Sequence, residues 1–318
     1  MHRQELVIGH NDFQYRMDKN WVKNQKMPLK DCHEMVLSTN GLFYMLGNET
    51  KNNIVIFNKD GEIKGDWGHD FPGGHGLSIH NENGEEFLYI TDTVRNKVFK
   101  TTLDGRVVLE LTLPKEIVDY KDVSEFKPTE TVVTPNGDIY VTDGYGLQFV
   151  IQYNAKGEYI RHFGGKGFGN ENFDCAHGIA LDNRDLENPT LLVTSRNENC
   201  FKRFTLEGNY LNTIDIPGSF VCRPVIHKKN IYAAAFRSGD NQNFGSGFIT
   251  ILDEKDKVVS SPGATKPTYL GEKLLPQNQI PDIFIHPHDV CIDKDENIYV
   301  PQWNSEGSYP IKLTRIEY

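Results

Sequence analysis

Apolar and polar positions alternate along most of the chain in short strand-length runs, and no window sustains the 3.6-residue apolar period of a helix. Leu88-Tyr-Ile-Thr-Asp92, Ile139-Tyr-Val-Thr-Asp143, Leu191-Leu-Val-Thr-Ser195 and Ile298-Tyr-Val-Pro301 share one form. Upstream of each lies another alternating run: Phe71-Pro-Gly-Gly-His75-Gly-Leu-Ser-Ile, Phe126-Lys-Pro-Thr129, Phe173-Asp-Cys-Ala-His177-Gly-Ile-Ala-Leu-Asp, and Phe284-Ile-His286-Pro-His288-Asp289-Val-Cys-Ile-Asp. Cys32-His33-Glu-Met-Val-Leu, with Asn40-Gly41 and Leu42-Phe-Tyr-Met, is a further copy, and a degenerate one lies between Cys222 and Val259. Asn-Gly, Asp-Gly and Lys-Gly pairs punctuate the runs, as hairpin turns require.

The copies open at His33, His75, Thr129, His177, near Arg223, and at His288. A small antiparallel sheet of this length cannot bury its own face and must stack on neighbours. Radial closure of such sheets protects their edges. The expectation is an all-β, six-bladed β-propeller of four-stranded antiparallel blades, one domain over residues 1–318. Residues 1–30 are expected to complete the last blade or to pack on its outside. The longer connections Leu113–Lys127 and Lys266–Pro287 are expected to shape one face.

Composition narrows the function classes. With 34 Lys+Arg against 44 Asp+Glu the net charge is −10, and no basic stripe offers itself to nucleic acid. Mean hydropathy is −0.52, and no apolar run is long enough for a membrane span. Aromatics make up 11% of the chain and the 28 glycines show no three-residue period, which excludes disorder and collagen. The first residues show no apolar leader core, a pattern that a cytoplasmic protein and an exported one with its signal removed share. Cys32, Cys175, Cys200, Cys222 and Cys291 are odd in number and scattered, as expected of buried thiols rather than a disulfide frame. Oligomeric state is not readable from these features.

Symmetry concentrates the chemistry. The first strand of each blade lines a propeller's channel, so residues opening those strands converge near the axis. His75-Gly76, His177-Gly178 and His288-Asp289 hold that position, and His33-Glu34 holds it in the first copy. Three imidazoles with an open position form the ligand set of a catalytic zinc site. The alternative is that they are packing residues, but Thr129 stands in the same place in another copy, so packing does not demand histidine. Tyr145, flanked by glycines after Thr142-Asp143, and Arg196, after Ser195, belong near the same mouth. Each also has a plain reading, as a ring packed on the next blade and as a surface ion-pair partner. Trp303 either lines this mouth or packs.

These blocks resemble the NHL-repeat propellers and, more narrowly, the peptidyl-α-hydroxyglycine α-amidating lyases. The resemblance rests on His75-Gly-Leu, Val141-Thr-Asp-Gly-Tyr145, His177-Gly-Ile-Ala-Leu with Ser195-Arg196-Asn-Glu-Asn, and Pro287-His288-Asp289-Val. It implies a catalytic zinc on His75, His177 and His288, a catalytic Tyr145 and an active-site Arg196. It also implies a structural calcium held by Asp289 with the carbonyls of Leu77 and of a residue near Met35. The family's reaction breaks a carbinolamide C–N bond, releasing an amide and glyoxylate. One departure stands out: the family's arginine after the second strand of its first blade is missing. Leu46 or a close neighbour stands there, and no arginine lies between Arg16 and Arg95. His33 and His286 are extra, and they suit acid/base work on a changed substrate. The reading that follows is a metal-dependent lyase or hydrolase acting on a small α-hydroxy or carbohydrate-derived compound. The competing one is a non-catalytic propeller that binds a ligand or a protein.

Overall fold

The computed structural model describes residues 6–23, 25–27, 29–48, 52–239, 246–305 and 307–316. Its strands form six antiparallel sheets arranged as blades, with one further two-stranded hairpin, Tyr269–Leu270 and Lys273–Leu274. Val123–Glu125, a single 3-10 turn, is the only helical element among the described residues. Among the described residues no helix is long and apolar enough to cross a membrane.

Blade 1 runs Glu34–Leu37, Phe43–Leu46, Ile54–Phe57, Ile63–Trp67, and blade 2 runs Gly74–Glu82, Glu85–Asp92, Lys97–Thr102, Val107–Leu111. Blade 3 is Glu130–Val133, Ile139–Thr142, Phe149–Tyr153, Tyr159–Gly164; blade 4 is Ala176–Asp182, Thr190–Ser195, Cys200–Phe204, Tyr210–Asp215. In blade 5 the inner strand is interrupted. Ser219–Val221 and Val225–His227 both pair with Asn230–Ser238, and Cys222, Arg223 and Pro224 lie between them. Phe248–Leu252 and Val258–Ser260 complete that blade.

Blade 6 joins the two ends of the chain. Cys291–Ile292, Ile298–Val300 and Ile311–Arg315 are followed outward by Phe13–Asp18 and Val7–His10. Tyr15 is opposite Arg315 and Met17 opposite Leu313. Residues 1–5, 24 and 28 of the expected N-terminal segment lie outside the described residues.

Six apolar clusters hold the ring, one at each blade–blade junction. Tyr44 and Leu46 of blade 1 meet Leu77 and Leu88 of blade 2, and Tyr89 and Val98 meet Ile139 and Val141. Tyr140 and Val150 meet Ile179 and Leu191, and Leu192 and Phe201 meet Ile231 and Phe248. Tyr232 and Ile251 meet Val300 and Leu313, and Tyr299 packs on Phe43 and Met45 to close the circle. Each sheet thus buries both faces while its inner strand remains on the channel.

A candidate metal centre at the channel mouth

Equivalent positions of the six inner strands stack as two rings across the channel. Four of them are marked by the same backbone bond: His33, Thr129, Cys222 and His288 each donate N–H to the second strand, at Leu46, Thr142, Ala234 and Pro301. The first ring reads His33, His75, Thr129, His177, Cys222, His288 around the axis. The second reads Glu34, Gly76, Glu130, Gly178, Arg223, Asp289. Glycine in the second ring is a steric requirement. A Cβ on Gly76 would lie 2.4 Å from the Thr129 carbonyl oxygen, and one on Gly178 would lie 2.6 Å from the Arg223 Cα.

In the first ring the four imidazoles are nearly buried. Ring centroids are 3.9 Å apart for His33–His288, 4.3 Å for His33–His75, 4.8 Å for His75–His177 and 4.9 Å for His177–His288. Two groups bring ligand atoms within 4.8 Å of one another: His33, His75 and His288; and His177, Cys222 and His288. The expected trio is divided between these groups, His75 in the first and His177 in the second with His288 in both, and His33 and Cys222 join them.

Hydrogen bonds set the tautomers. His75 Nδ1 is 2.8 Å from the Thr129 carbonyl oxygen and His288 Nδ1 is 3.2 Å from that of His33. A carbonyl only accepts, so both rings carry their proton on Nδ1 and keep a lone pair on Nε2, as metal-binding histidines do. His177 makes no hydrogen bond at either ring nitrogen although both are buried. Such a group costs free energy unless something pairs with it. Burial, with help from Arg196 and the neighbouring rings, holds His177 well below the usual imidazole range, so it stays neutral. A neutral ring whose single basic lone pair is unengaged, set among three others, is part of a donor set suited to a divalent first-row ion.

Tyr145 and Arg196 reach the same place. Asp143 pins the turn before Tyr145 by accepting from the Leu147 N–H at 2.6 Å and the Tyr120 hydroxyl at 2.6 Å. A Cβ on Gly144 would lie 2.2 Å from the Ala176 carbonyl oxygen, so the turn passes blade 4 too closely for a side chain. The Tyr145 ring is 44% exposed at the mouth, while its hydroxyl points inward, 3.0 Å from His75 Nε2 and 3.1 Å from Arg196 Nη2. Burial of that hydroxyl pushes the phenol up to about 12, with Arg196 pulling the other way. The Arg196 guanidinium carbon sits 4.9 Å from the Phe236 ring centroid and 5.7 Å from that of Tyr145. Tyr145, Arg196 and Phe236, with His33, His75, His288, Asn48, Thr93 and Trp303, line a cavity of about 340 Å³. His286 is not on its wall. It packs 5.8 Å from Trp303 and 6.3 Å from Phe236, ring to ring.

The second ring does not fit the calcium that the resemblance implies, because a side chain already holds its oxygens. Arg223 donates from Nε and Nη2 to the two oxygens of Asp289 at 3.1 and 2.6 Å, and from Nη1 to the Leu77 carbonyl at 2.7 Å. Its Nη2 also lies 3.4 Å from the Met35 carbonyl. Glu34 and Glu130 complete the shell at 3.8 and 3.7 Å. The guanidinium supplies the positive charge, so Asp289, Leu77 and Met35 are ligands of Arg223. Burial, and then Glu130 beside it, raises Glu34 well above the usual carboxylate range, with Arg223 pulling the other way.

Leu46 is fully buried and packs between blades 1 and 2. Asn48, with His33, is a blade 1 residue on the cavity wall, held to Asp31 by its backbone N–H at 2.9 Å. Leu46→Arg is expected to lower stability by about 2 kcal/mol or more, as a charge without a partner in a packed junction. Asn48→Arg is expected to melt like the parent protein and to tighten carboxylate binding; denaturation curves on both variants decide between the positions.

No family model matches the chain. It is 33% identical over 122 residues to peptidyl-alpha-hydroxyglycine alpha-amidating lyase 1 of Drosophila melanogaster, covering 36% of this chain and 21% of that protein. It is 27% identical over 180 residues to probable peptidyl-alpha-hydroxyglycine alpha-amidating lyase pgal-1 of Caenorhabditis elegans, covering 54% and 49%. With human NHL repeat-containing protein 3 it shares 26% over 228 residues, covering 62% and 65%. The chain thus spans less than half the length of these two lyases and somewhat under two thirds of the third relative. Among solved structures, a gluconolactonase from Xanthomonas campestris superposes with a TM-score of 0.64 at 12% identity, covering 98% of this chain and 95% of that one. A streptogramin B lyase superposes with a TM-score of 0.61 at 13% identity, covering 94% and 97%. Those two likenesses are of fold alone. The chain is a six-bladed β-propeller whose homologues, at low identity, are peptidyl-α-hydroxyglycine α-amidating lyases and NHL-repeat proteins.

Proposed function

We propose that this propeller is a metal-dependent enzyme, a lyase or hydrolase that cleaves a small α-hydroxy or carbohydrate-derived compound at the channel mouth. The observation that carries the reading is the cluster of four imidazoles beside the Tyr145 hydroxyl and Arg196, with His33, His75 and His288 on the cavity wall and His177 behind them, unpaired at both nitrogens. A divalent ion such as zinc, held by His75, His177 and His288, would supply Lewis acidity toward a substrate hydroxyl or a bound water.

The chain's own residues would do the rest. Arg196 lines the cavity, and its planar guanidinium suits a carboxylate or another oxyanion. Tyr145 is a proton carrier with a defined direction. Its O–H donates to His75 Nε2, because His75 already carries a proton on Nδ1, and it accepts from Arg196. Engaging the Nε2 lone pair elsewhere frees the hydroxyl, and Arg196 then favours its phenolate form. Trp303 and Phe236 narrow the mouth, which limits the substrate to a small molecule. Blade 1 lines the cavity with His33 and Asn48 and no guanidinium, and this supports a substrate other than a peptidyl-hydroxyglycine.

A binding scaffold is the second reading, favoured by the match to NHL repeat-containing protein 3. Metal content per chain separates the two, measured by plasma mass spectrometry on protein purified without a metal-affinity column. Near-stoichiometric transition metal supports the enzyme and justifies a screen of α-hydroxy acids, carbinolamides and oxidised sugars. Metal-free protein that takes up none on addition leaves the scaffold. Tyr145→Phe is expected to retain metal and melting temperature while turnover on the substrate found falls about 10²–10⁴-fold. Unchanged turnover would remove Tyr145 from the chemistry.

A further inference from the structure

We propose that His33 is a ligand of this centre, so that four imidazoles, His33, His75, His177 and His288, hold the ion. The inference rests on the metal-dependent reading above and changes its coordination. His33 makes the two shortest ring approaches in the cluster, 3.9 Å to His288 and 4.3 Å to His75. It belongs with both in a group whose ligand atoms lie within 4.8 Å of one another. Its side chain is buried, and Nδ1 has no hydrogen-bond partner. A residue kept for acid/base work at a cavity wall has no need to stand between two ligand rings, whereas a fourth ligand does.

The position in the fold agrees. His33 opens the inner strand of blade 1 as His75, His177 and His288 open theirs, and its backbone N–H makes the same bond to the second strand as that of His288. Its carbonyl accepts from His288 Nδ1, so the residue also orients a neighbouring ring. Four neutral imidazoles would leave the ion's charge undiminished and would take four coordination positions. An ion that still accepts substrate must then be five- or six-coordinate. That preference belongs to iron, cobalt or nickel more than to tetrahedral zinc.

Cobalt(II) added to chelator-stripped protein is the test, because its visible absorption is weak when five- or six-coordinate and intense when tetrahedral. The parent protein is expected to bind about one cobalt per chain with weak bands. His33→Ala and His33→Gln, each checked by melting for a retained fold, are expected to bind cobalt at least about 10-fold more weakly and with intense tetrahedral bands. Parent-like affinity and spectrum in both variants would leave a three-histidine centre and remove His33 while sparing the metal reading. An intense near-ultraviolet band lost in Cys222→Ser would put the thiolate in the place assigned to His33 and overturn the assignment. Failure of the parent protein to bind cobalt, nickel or zinc would defeat the metal reading and this inference together.

Discussion

Arg223→Ala is expected to destabilise the propeller by roughly 3–5 kcal/mol, the cost of removing one partner from a buried ionic group. The guanidinium neutralises Asp289 and draws in Glu34 and Glu130 from two other blades, and its N–H groups satisfy the Leu77 and Met35 carbonyls. Without it, buried carboxylates face one another across the axis with no cation between them. The deletion also leaves oxygens of the kind calcium prefers. Calcium is therefore expected to raise the melting temperature of Arg223→Ala in a concentration-dependent way and to leave the parent protein unchanged. Melting curves with and without calcium read both. A parent protein stabilised by calcium, or a variant as stable as the parent, would contradict the role given to Arg223.

His177→Ala is expected to weaken metal binding more than about 100-fold, beyond what outer-shell changes cost, and to abolish turnover. The fold should survive, because the ring makes no hydrogen bond that the blade depends on. Removing a buried, unpaired imidazole is expected to leave the metal-free protein as stable as before or slightly more so. A packing histidine behaves oppositely, losing stability on truncation with metal content unchanged. Metal titration and thermal melting of the same sample distinguish the two outcomes.

Much of this site was legible because a propeller is a repeat. Once six copies are aligned, the residue opening each inner strand must approach the axis, and so His75, His177 and His288 could be grouped from sequence. Tyr145 and Arg196 followed from their turns after the second strands. Blade 5 was harder to read. Its inner strand breaks at Cys222, Arg223 and Pro224, so the degenerate copy hid the fact that Cys222 shares the ring of the histidines and Arg223 the ring of Asp289. A guanidinium near Asp289 was the available signal, and it needed the register of that one blade. Leu46 ends the second strand of blade 1 and packs in the junction, while Asn48, just past that strand, reaches the mouth.

The sequence by itself determined the all-β class, the blade number and the identity of the axial histidines, because alternation and repetition are local properties that fold symmetry converts directly into position. Only the tertiary structure decided which side chains share a shell. Whether His33 stands among the other imidazoles, whether His286 lines the cavity or packs beside Trp303, and whether Asp289 meets Arg223 all depend on how blades far apart in the chain meet across the channel. Those distances follow from the closure of the ring, where six strands compete for one narrow axis and each side chain's place depends on the volume and charge of the other five.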